Sequence, residues 1–344
     1  MNIEDRKLQE QDAKSVDETR RIIAVVVTYN PCLEKVCALL DAVFTQVFKV
    51  IVVDNGSHEV EKIRCLVNQF SDAEFIGLPS NMGIAYAQNV GIRLTYERKA
   101  DYVLTLDQDS LPEPGMVKKL YAVFDQVQGS ERIAAVGPLL LDESTSLALP
   151  FFSYRNGRKQ RITPTVGSEI LNVECLVSSG TLLAMGAIVE VGLMREELFI
   201  SYVDVEWCLR ARSHGFQVLG CCAATMTHNL GERRLKIGRY LIPLHSPLRH
   251  YYVFRSGIYM QRLSHVSTTW KRADRRQLAR SFILFSIVGL PKFQEITSMF
   301  RGLKDGLLMS IQAAVRLQTT EQYREGMATF AADPQGNQTS PMFK

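Results

Sequence analysis

The sequence predicts an α/β protein with a doubly wound sheet, and two observations lead to that prediction. Apolar, β-branched runs recur at Ile22 to Thr28, Lys49 to Val53 and Tyr102 to Leu106, as in strands that are buried on both faces. Between these runs, apolar residues return at helical spacing. Alternation of this kind is typical of a parallel sheet covered by helices.

The first connections can be assigned in chain order. Tyr29-Asn30-Pro31 ends the first strand, and Leu33 to Phe48 has the spacing of a helix. The second strand ends at Asp54-Asn55-Gly56-Ser57, a strong turn signal. A helix to about Phe70 and a short strand near Glu74 to Gly77 should follow.

The rest of the chain has a weaker pattern that becomes helical towards its end. Asn81-Met82-Gly83 should open a helix, and a helix should lie within Phe199 to Ser213. Short strands are expected near Ala135 to Leu141 and Glu174 to Val177, and helices from His245 onward and from Lys271 to Leu317. We therefore predict a disordered tail over residues 1–20, an α/β domain over 21–240, a helical region over 241–320 and a flexible tail over 331–344.

Composition favours a reduced, globular protein. The chain has 344 residues, of which 46% are hydrophobic and 22% charged. Its seven cysteines have neither the even number nor the spacing of a disulfide framework, so we expect thiols in a reducing compartment such as the cytoplasm. Residues 1–20 lack the apolar core of a signal peptide. The longest apolar candidate for a membrane span, Phe282 to Leu290, is too short.

Charge is distributed unevenly. Glu232 to Arg280 contains twelve Lys/Arg and two Asp/Glu, a net charge of +10, and the whole chain carries +4, so the remainder carries about −6. This asymmetry indicates an anionic partner for the C-terminal part, such as phosphates, nucleic acid or an acidic membrane. A nucleic-acid partner is disfavoured because no nucleic-acid-binding fold signature is present.

Polar residues stand where the predicted strands end. Asn30, Asp54 and Asp107 each follow a strand, and ligands of such sheets bind outside the carboxyl ends of the strands. We expect these residues to converge on one crevice. Asp54 could accept hydrogen bonds from a nucleobase or ribose, or it could simply be a turn residue.

Asp107 and Asp109 are candidate metal ligands. Two carboxylates this close repel each other unless a cation lies between them. Mg²⁺ or Mn²⁺ would suit oxygen ligands and would bridge to a diphosphate. The alternative is a loop in which Asp109 or Ser110 caps the next helix. Neither a G-x-G-x-x-G motif nor a P-loop is present, so a diphosphate would need a metal or arginines, for which Arg249 and Arg255 are candidates.

The second half of the chain offers candidate bases and ligands. Asp204 or Glu206 could be a general base that removes a proton from a hydroxyl, or both could stabilise a helix N-terminus. His228 and His250 are candidate metal or phosphate ligands, although a lone histidine is more often structural.

Together these motifs resemble the inverting family 2 glycosyltransferases, which have the GT-A fold, and among them the bacterial rhamnosyltransferases of O-antigen and polysaccharide assembly. The resemblance spans about residues 22 to 260. Its residues are Val27-Thr28-Tyr29-Asn30-Pro31, Val53-Asp54-Asn55-Gly56-Ser57, Asn81-Met82-Gly83-Ile84-Ala85, Leu106-Asp107-Gln108-Asp109-Ser110, Asp204-Val205-Glu206-Trp207-Cys208-Leu209-Arg210, His228, Arg249-His250-Tyr251-Tyr252 and Arg255.

The resemblance implies a role for each of these positions. Residues 21–240 would be the GT-A catalytic domain, with Asp204 as the catalytic base. The metal ligands would be Asp107, Asp109 and His228. The substrate-binding residues would be Thr28, Asn30, Asp54, Asn81, Gly83, Asp107, Glu206, Arg249 and Arg255.

The resemblance also implies a reaction. The donor would be dTDP-rhamnose, and the acceptor would be a saccharide or a polyprenyl-diphosphate-linked saccharide. Two alternatives stay open: a nucleotidyltransferase, which would carry a Gly-rich basic loop where Thr28-Tyr29-Asn30-Pro31 stands, and a non-catalytic binding protein on the same fold.

The C-terminal stretch predicts contact with a membrane. Between Arg233 and about Leu308, basic residues would attract anionic lipid on the inner face of the cytoplasmic membrane. The apolar residues Phe282, Ile283, Phe285, Ile287 and Leu290 would dip into the interface from one side of a helix. The alternative is that these residues pack on the catalytic domain.

Overall fold

The computed structural model describes residues 21–126, 132–155, 158–164, 167, 169–228, 234–237, 240–243, 246–288 and 292–316. The tails predicted for residues 1–20 and 331–344 lie outside these described residues. The strands are β1 (Ile22–Thr28), β2 (Lys49–Asp54), β3 (Ala73–Gly77), β4 (Tyr102–Asp107), β5 (Ser110–Pro112), β6 (Arg132–Asp142), β7 (Phe151–Arg155), β8 (Arg158–Ile162), β9 (Ile170–Asn172), β10 (Thr181–Ala184), β11 (Phe216–His228), β12 (Arg234–Ile237) and β13 (Tyr240–Pro243).

The helices alternate with the early strands and then take over the C-terminal part. They are α1 (Leu33–Phe44), α2 (Val60–Val67), α3 (Ile84–Glu97), α4 (Met116–Gln126), α5 (Met185–Val191), α6 (Val203–Ser213), α7 (Pro247–Met260), α8 (Thr268–Val288) and α9 (Lys292–Arg316), with one 3₁₀ turn at Glu196–Leu198.

A nine-stranded mixed sheet forms the centre of the molecule. Its order is β3-β2-β1-β4-β10-β6-β11-β5, with β9 paired to β11. Strand β1 is parallel to both β2 and β4, whereas β10 is antiparallel to β4 and β6. The predicted doubly wound α/β sheet is therefore confirmed.

Residues of β1 show why the early apolar runs are continuous. Ile22, Ala24 and Val26 pack in a core with helices α1, α2 and α4, whereas Ile23 and Val25 pack in a second core with α3, α5 and α6. Both faces of the strand are buried, so neither set of alternating positions can be polar. Residues 23, 24, 25 and 26 are completely inaccessible to solvent.

Two predicted elements are wrong in part. The expected strand at Glu174 to Val177 is absent and leaves only a single bridge from Cys175 to Phe152; the nearby strand is β10. The helix expected to reach Phe48 ends at Phe44, because the chain must turn there to enter β2. The helical region expected from Lys271 to Leu317 is confirmed over the described residues, where it consists of two helices, α8 and α9.

The C-terminal helices pack on one another and on the sheet domain. Phe254, Leu278, Phe285 and Met299 are the buried members of their shared apolar cluster. Helix α9 approaches α7 so closely that a Cβ on Gly302 would lie 2.4 Å from the backbone oxygen of Tyr251.

The expected membrane-facing set of α8 needs correction. Phe285 is buried and Phe282 partly buried, because both belong to the apolar cluster between the C-terminal helices. Ile283 and Ile287 are exposed, and Leu290 lies outside the described residues. None of the helices that the structure describes is long and apolar enough to span a membrane.

Candidate active site

The carboxyl ends of β1, β2 and β4 meet at one edge of the sheet. Thr28 pairs with Asp54 in register, and Val27 pairs with Asp107. Thr28 Oγ1 donates a hydrogen bond of 2.9 Å to Asp54 Oδ1. Asp54 and Asp107 therefore end neighbouring strands at the same edge of the sheet, as topology predicted.

Asp54 organises the loops at this edge. Its carboxylate is fully buried and also accepts hydrogen bonds from the backbone amide and hydroxyl of Ser57. Ser57 Oγ in turn accepts from the backbone amide of Asn30 at 2.7 Å. In this structure Asp54 and Thr28 hold the loop that presents Asn30, and neither side chain is open to solvent.

A second pair of loops is joined through Gln108. Its Oε1 accepts from the backbone amide of Tyr29 at 2.7 Å, and its Nε2 donates to the Tyr29 carbonyl at 3.3 Å. The segment between Asp107 and Asp109 is thereby tied to the end of β1.

The turn before α3 lies on the same side. Asn81 Oδ1 accepts from Asn55 Nδ2 and from the backbone amide of Gly83, both at 3.0 Å. Gly83 has a φ of 87°, and a Cβ there would lie 2.6 Å from the ring of Phe199. Gly83 therefore allows the 199–202 loop, which precedes α6, to lie against the α3 N-terminus.

Asp107, Asp109, Asp204 and Arg249 form one electrostatic cluster. Burial, together with the nearby carboxylates of Asp109 and Asp204, raises the pKa of Asp107 to about 7, and the positive charge of Arg249 opposes this shift. The sequence separates Asp107 from Asp204 by almost a hundred residues, yet the fold brings their charges together.

The Ser178-Ser179 turn connects the two halves of this cluster. Ser179 Oγ accepts from the backbone amide of Asp107 at 2.9 Å, and the backbone amide of Ser178 donates to Asp204 Oδ2 at 3.3 Å. Sequence reasoning missed both serines. The turn signal Ser178-Ser179-Gly180 before β10 is the sequence feature that could have indicated them.

His228 lies next to the acidic loop. Its Nδ1 is 2.9 Å from Ser110 Oγ, which also lies 2.7 Å from Ser179 Oγ. Burial lowers the pKa of His228, while Asp109 and Asp142 oppose the shift. The neutral ring that burial favours is the form that binds metals.

The carboxylate cluster suits a divalent cation held by few protein ligands. Within the described ranges, no group of three His, Cys, Asp or Glu side chains is close enough to hold a metal, so the predicted trio with His228 is not assembled. The carboxylates of Asp107 and Asp109 nevertheless lie close enough to repel each other, which contributes to the raised pKa of Asp107. Mg²⁺-type ions are commonly bound by one or two carboxylates together with substrate phosphates.

Asp204 and Glu206 face opposite sides of α6. Two residues advance a helix by about 200°, so they cannot share a face. Asp204 is partly exposed, and its Oδ1 accepts from the Val205 amide at 2.8 Å. Burial raises the pKa of Asp204, and hydrogen bonds from the Val205 and Ser178 amides oppose the shift. A raised pKa makes a carboxylate a stronger base.

Glu206 is placed in the interior, so its predicted substrate contact needs correction. It has no exposed surface. Its carboxylate pairs with Arg195 Nε at 2.8 Å and Arg210 Nη2 at 3.0 Å, and His265 Nε2 lies 3.0 Å away. We assign it to the support of α6.

Two further candidates, Arg255 and His250, have other partners in this structure. Arg255 Nη2 donates to the Glu197 carbonyl at 2.6 Å, and its guanidinium lies 4.8 Å from the Tyr252 ring centre. His250 is buried, with Nδ1 2.5 Å from Glu295 Oε2, and therefore does not face the cleft as a ligand. Arg249 is the exposed arginine at the cluster.

The mixed α/β sheet, with acidic loops at its carboxyl edge and helices at its C-terminal end, has the architecture of the GT-A fold. Solved structures agree with this fold. The chain aligns with S. aureus TarS 1–349 at a TM-score of 0.51 and 14% identity, over 91% of each chain. It aligns with GalNAc-T7, solved with UDP, GalNAc and Mn²⁺, at a TM-score of 0.51 and 14% identity, over 80% of this chain and 58% of that one.

Sequence comparison identifies the family. The family model described as Glycosyl transferase family 2 matches residues 23–136. The chain is 37% identical to the dTDP-rhamnosyl transferase RfbF of Shigella flexneri over 246 residues, which are 71% of this chain and 81% of that protein. The chain belongs to glycosyl transferase family 2 and is a glycosyltransferase, in agreement with the resemblance found in its motifs and against both alternatives.

Proposed function

We propose that the protein transfers L-rhamnose from dTDP-rhamnose, with inversion, to a saccharide acceptor in cell-surface polysaccharide biosynthesis, such as O-antigen assembly. The observation that carries the reaction type is the convergence of Asp107, Asp204 and Arg249 in one electrostatic cluster. The choice of donor is supported by the 37% identity to the dTDP-rhamnosyl transferase RfbF.

Each residue of the cluster has a separate task in this proposal. Asp204 accepts the proton of the acceptor hydroxyl, and the amides of Val205 and Ser178 fix its two oxygens. Arg249 supplies positive charge near the carboxylates, where a leaving diphosphate gains negative charge. Attack on the sugar face opposite the leaving group inverts the anomeric centre.

Asp107 and Asp109 would hold a divalent cation. When bound, such an ion neutralises the charge of the leaving nucleoside diphosphate. The tie between Gln108 and Tyr29 keeps the acidic segment close to the loop of Asn30, where the nucleoside would bind.

The acceptor is proposed to be linked to polyprenyl diphosphate. Such an acceptor lies in a membrane, so it would bring the enzyme from the cytoplasm to the inner face of that membrane. A soluble saccharide acceptor would not require this location.

The experiment that tests the proposal offers a panel of nucleotide sugars together with a bacterial lipid extract and measures released nucleoside diphosphate. We expect release to be fastest from dTDP-rhamnose, and we expect the new bond to have the anomeric configuration opposite to that of the donor. Release from a different donor alone would overturn the choice of sugar. Formation of pyrophosphate from dTTP and a sugar phosphate would instead support a nucleotidyltransferase.

A further inference from the structure

Helix α8 has an exposed face that is basic in its first half and apolar in its second. Arg272, Arg276 and Arg280 lie on this face at helical spacing, and Ile283 and Ile287 continue the same line. Ile283 and Ile287 are each 62% exposed. The opposite face, with Leu278 and Phe285, is buried against the other C-terminal helices.

Helix α9 has a matching exposed stripe. Phe293, Phe300 and Leu307 recur every seventh residue and are 80%, 57% and 47% exposed. Lys304 stands between them, on the same face. The ring of Phe300 lies 5.2 Å from that of Phe282 on α8, so the two helices contact each other beside these stripes.

The acidic residues of α8 and α9 are all turned towards internal partners. Asp274 accepts from Tyr202 at 2.8 Å, His250 lies 2.5 Å from Glu295, and Tyr251 donates to Asp305 at 2.9 Å. Basic residues on these helices remain exposed, among them Arg272, Arg275, Arg280, Arg301 and Lys304. The outer surface of the two helices is therefore cationic as well as apolar.

We propose that this docking surface, formed by Arg272, Arg280, Ile283, Ile287, Phe293, Phe300, Lys304 and Leu307, binds an anionic phospholipid membrane. Exposed apolar side chains flanked by arginine and lysine match a lipid interface, whose headgroups attract cations and whose acyl region accepts apolar groups. A second copy of the chain is a poorer partner, because a two-fold interface brings the same patch, and so the same arginines, face to face.

The biological purpose of this surface rests on the proposed lipid-linked acceptor. Binding itself requires neither donor nor acceptor, so it can fail or succeed independently of sugar transfer. The structure also connects the docking surface to the candidate active site. Asp274 on α8 accepts a hydrogen bond from Tyr202, which directly precedes α6.

The test is co-sedimentation of the full-length protein with vesicles of phosphatidylglycerol and phosphatidylcholine, compared with phosphatidylcholine alone. We expect binding to the anionic vesicles, weakened by salt. The double variant Arg272→Gln/Arg280→Gln should bind about 25-fold more weakly, since each cation near an anionic surface contributes about fivefold. Ile287→Ser/Phe293→Ser should reduce binding at least about tenfold with little change in salt dependence.

Matched controls are exposed residues of the same types elsewhere. Lys118→Gln/Lys119→Gln removes two exposed lysines from α4, and Leu147→Ser removes a leucine that is 68% exposed. Neither should change vesicle binding. Equal losses in the control and test variants would overturn the proposal, as would absence of binding to anionic vesicles at low salt. Sedimentation showing a dimer that Ile287→Ser/Phe293→Ser dissociates would assign the surface to a second copy instead.

Discussion

The hydroxyl of Tyr202 donates a hydrogen bond of 2.8 Å to Oδ1 of Asp274, which joins the residue before α6 to helix α8. Tyr202 has a φ of 69°, a left-handed conformation that costs an aromatic residue about 1–3 kcal/mol. Its surroundings must fix this conformation, and they include Trp270 and Asp274 of helix α8. Because α6 carries Asp204, helix α8 helps to position the proposed base.

Tyr202→Phe tests this connection. We expect the free energy of unfolding to fall by about 1–2 kcal/mol, since a buried acceptor loses one of its donors. Turnover should fall more than the affinity for the donor, because Asp204 follows Tyr202 by two residues. Urea denaturation and steady-state kinetics measure the two effects. Tyr121→Phe, which removes a hydrogen bond to Asp125 on the surface, is the control and should change neither.

Asp274 should make stability depend on pH. Burial raises its pKa to about 6 from 3.8, against hydrogen bonds from Tyr202 and Gln261 and the charge of Lys159. A carboxyl whose pKa is raised by folding favours the folded state while it is protonated, so this contribution declines as pH rises from about 4 to 6. Relative to Asp274→Asn, the wild-type protein should lose up to about 3 kcal/mol between pH 4 and pH 7. If urea titrations gave the same difference in the free energy of unfolding between the wild-type protein and Asp274→Asn at pH 4 and at pH 7, the raised pKa of Asp274 would be contradicted.

The early half of the fold could be predicted because its strands are buried on both faces. Ile22 to Thr28 and Tyr102 to Leu106 are continuous apolar runs, and such runs leave few alternatives. Topology then predicted the convergence of Asp54 and Asp107, because parallel neighbouring strands end at the same edge. The hairpin of β7 and β8 was missed, since exposed residues such as Arg158 to Arg161 show no apolar alternation.

The interior of the site was harder to predict from local pattern. Asp204 and Glu206 are equivalent in the sequence, and only their directions on α6 distinguish a cleft carboxylate from a buried one. Ser178 and Ser179 act through a backbone amide and a hydroxyl at a turn whose position depends on β10 lying beside β4. Long-range contacts of this kind leave little local signal.

Glu206→Gln should lower the free energy of unfolding. This effect would reflect a structural ion pair and would not identify Glu206 as the catalytic base. Burial alone would raise the pKa of Glu206, but Arg210, His265 and Arg195 bring it down to about 2. A pKa lowered by folding stabilises the protein above about pH 4.5, and this contribution is lost as pH falls towards 2. Removing the charge leaves the partly buried Arg195 and Arg210 without their anionic partner, so a loss of about 3–5 kcal/mol is expected in urea denaturation at pH 7. Glu197→Gln, at an exposed position, should cost far less.

Asp204→Asn should separate binding from transfer. The variant keeps the shape of the side chain and should fold and bind the nucleotide sugar, but its turnover should fall by about 10²–10⁴-fold for want of a base. Calorimetry with the donor and rate measurements under saturating donor distinguish the two steps. Turnover at the wild-type rate would exclude Asp204 as the base, and the ion-paired, buried Glu206 could not take its place.

Activity should require a divalent cation and Asp109. Excess chelator should abolish turnover, and added Mg²⁺ or Mn²⁺ should restore it, because carboxylate oxygens suit these ions.

Asp109→Ala should remove most of the activity and should also lower the pKa of Asp107 from about 7, since Asp109 is one cause of its elevation. Carbon-detected NMR titration follows that pKa without any substrate. Glu97→Ala, at the exposed end of α3, is the charge-matched control and should leave both quantities unchanged. Full turnover in excess chelator would show that the reaction does not need a metal. An unchanged pKa of Asp107 in Asp109→Ala would show that the two carboxylates do not interact.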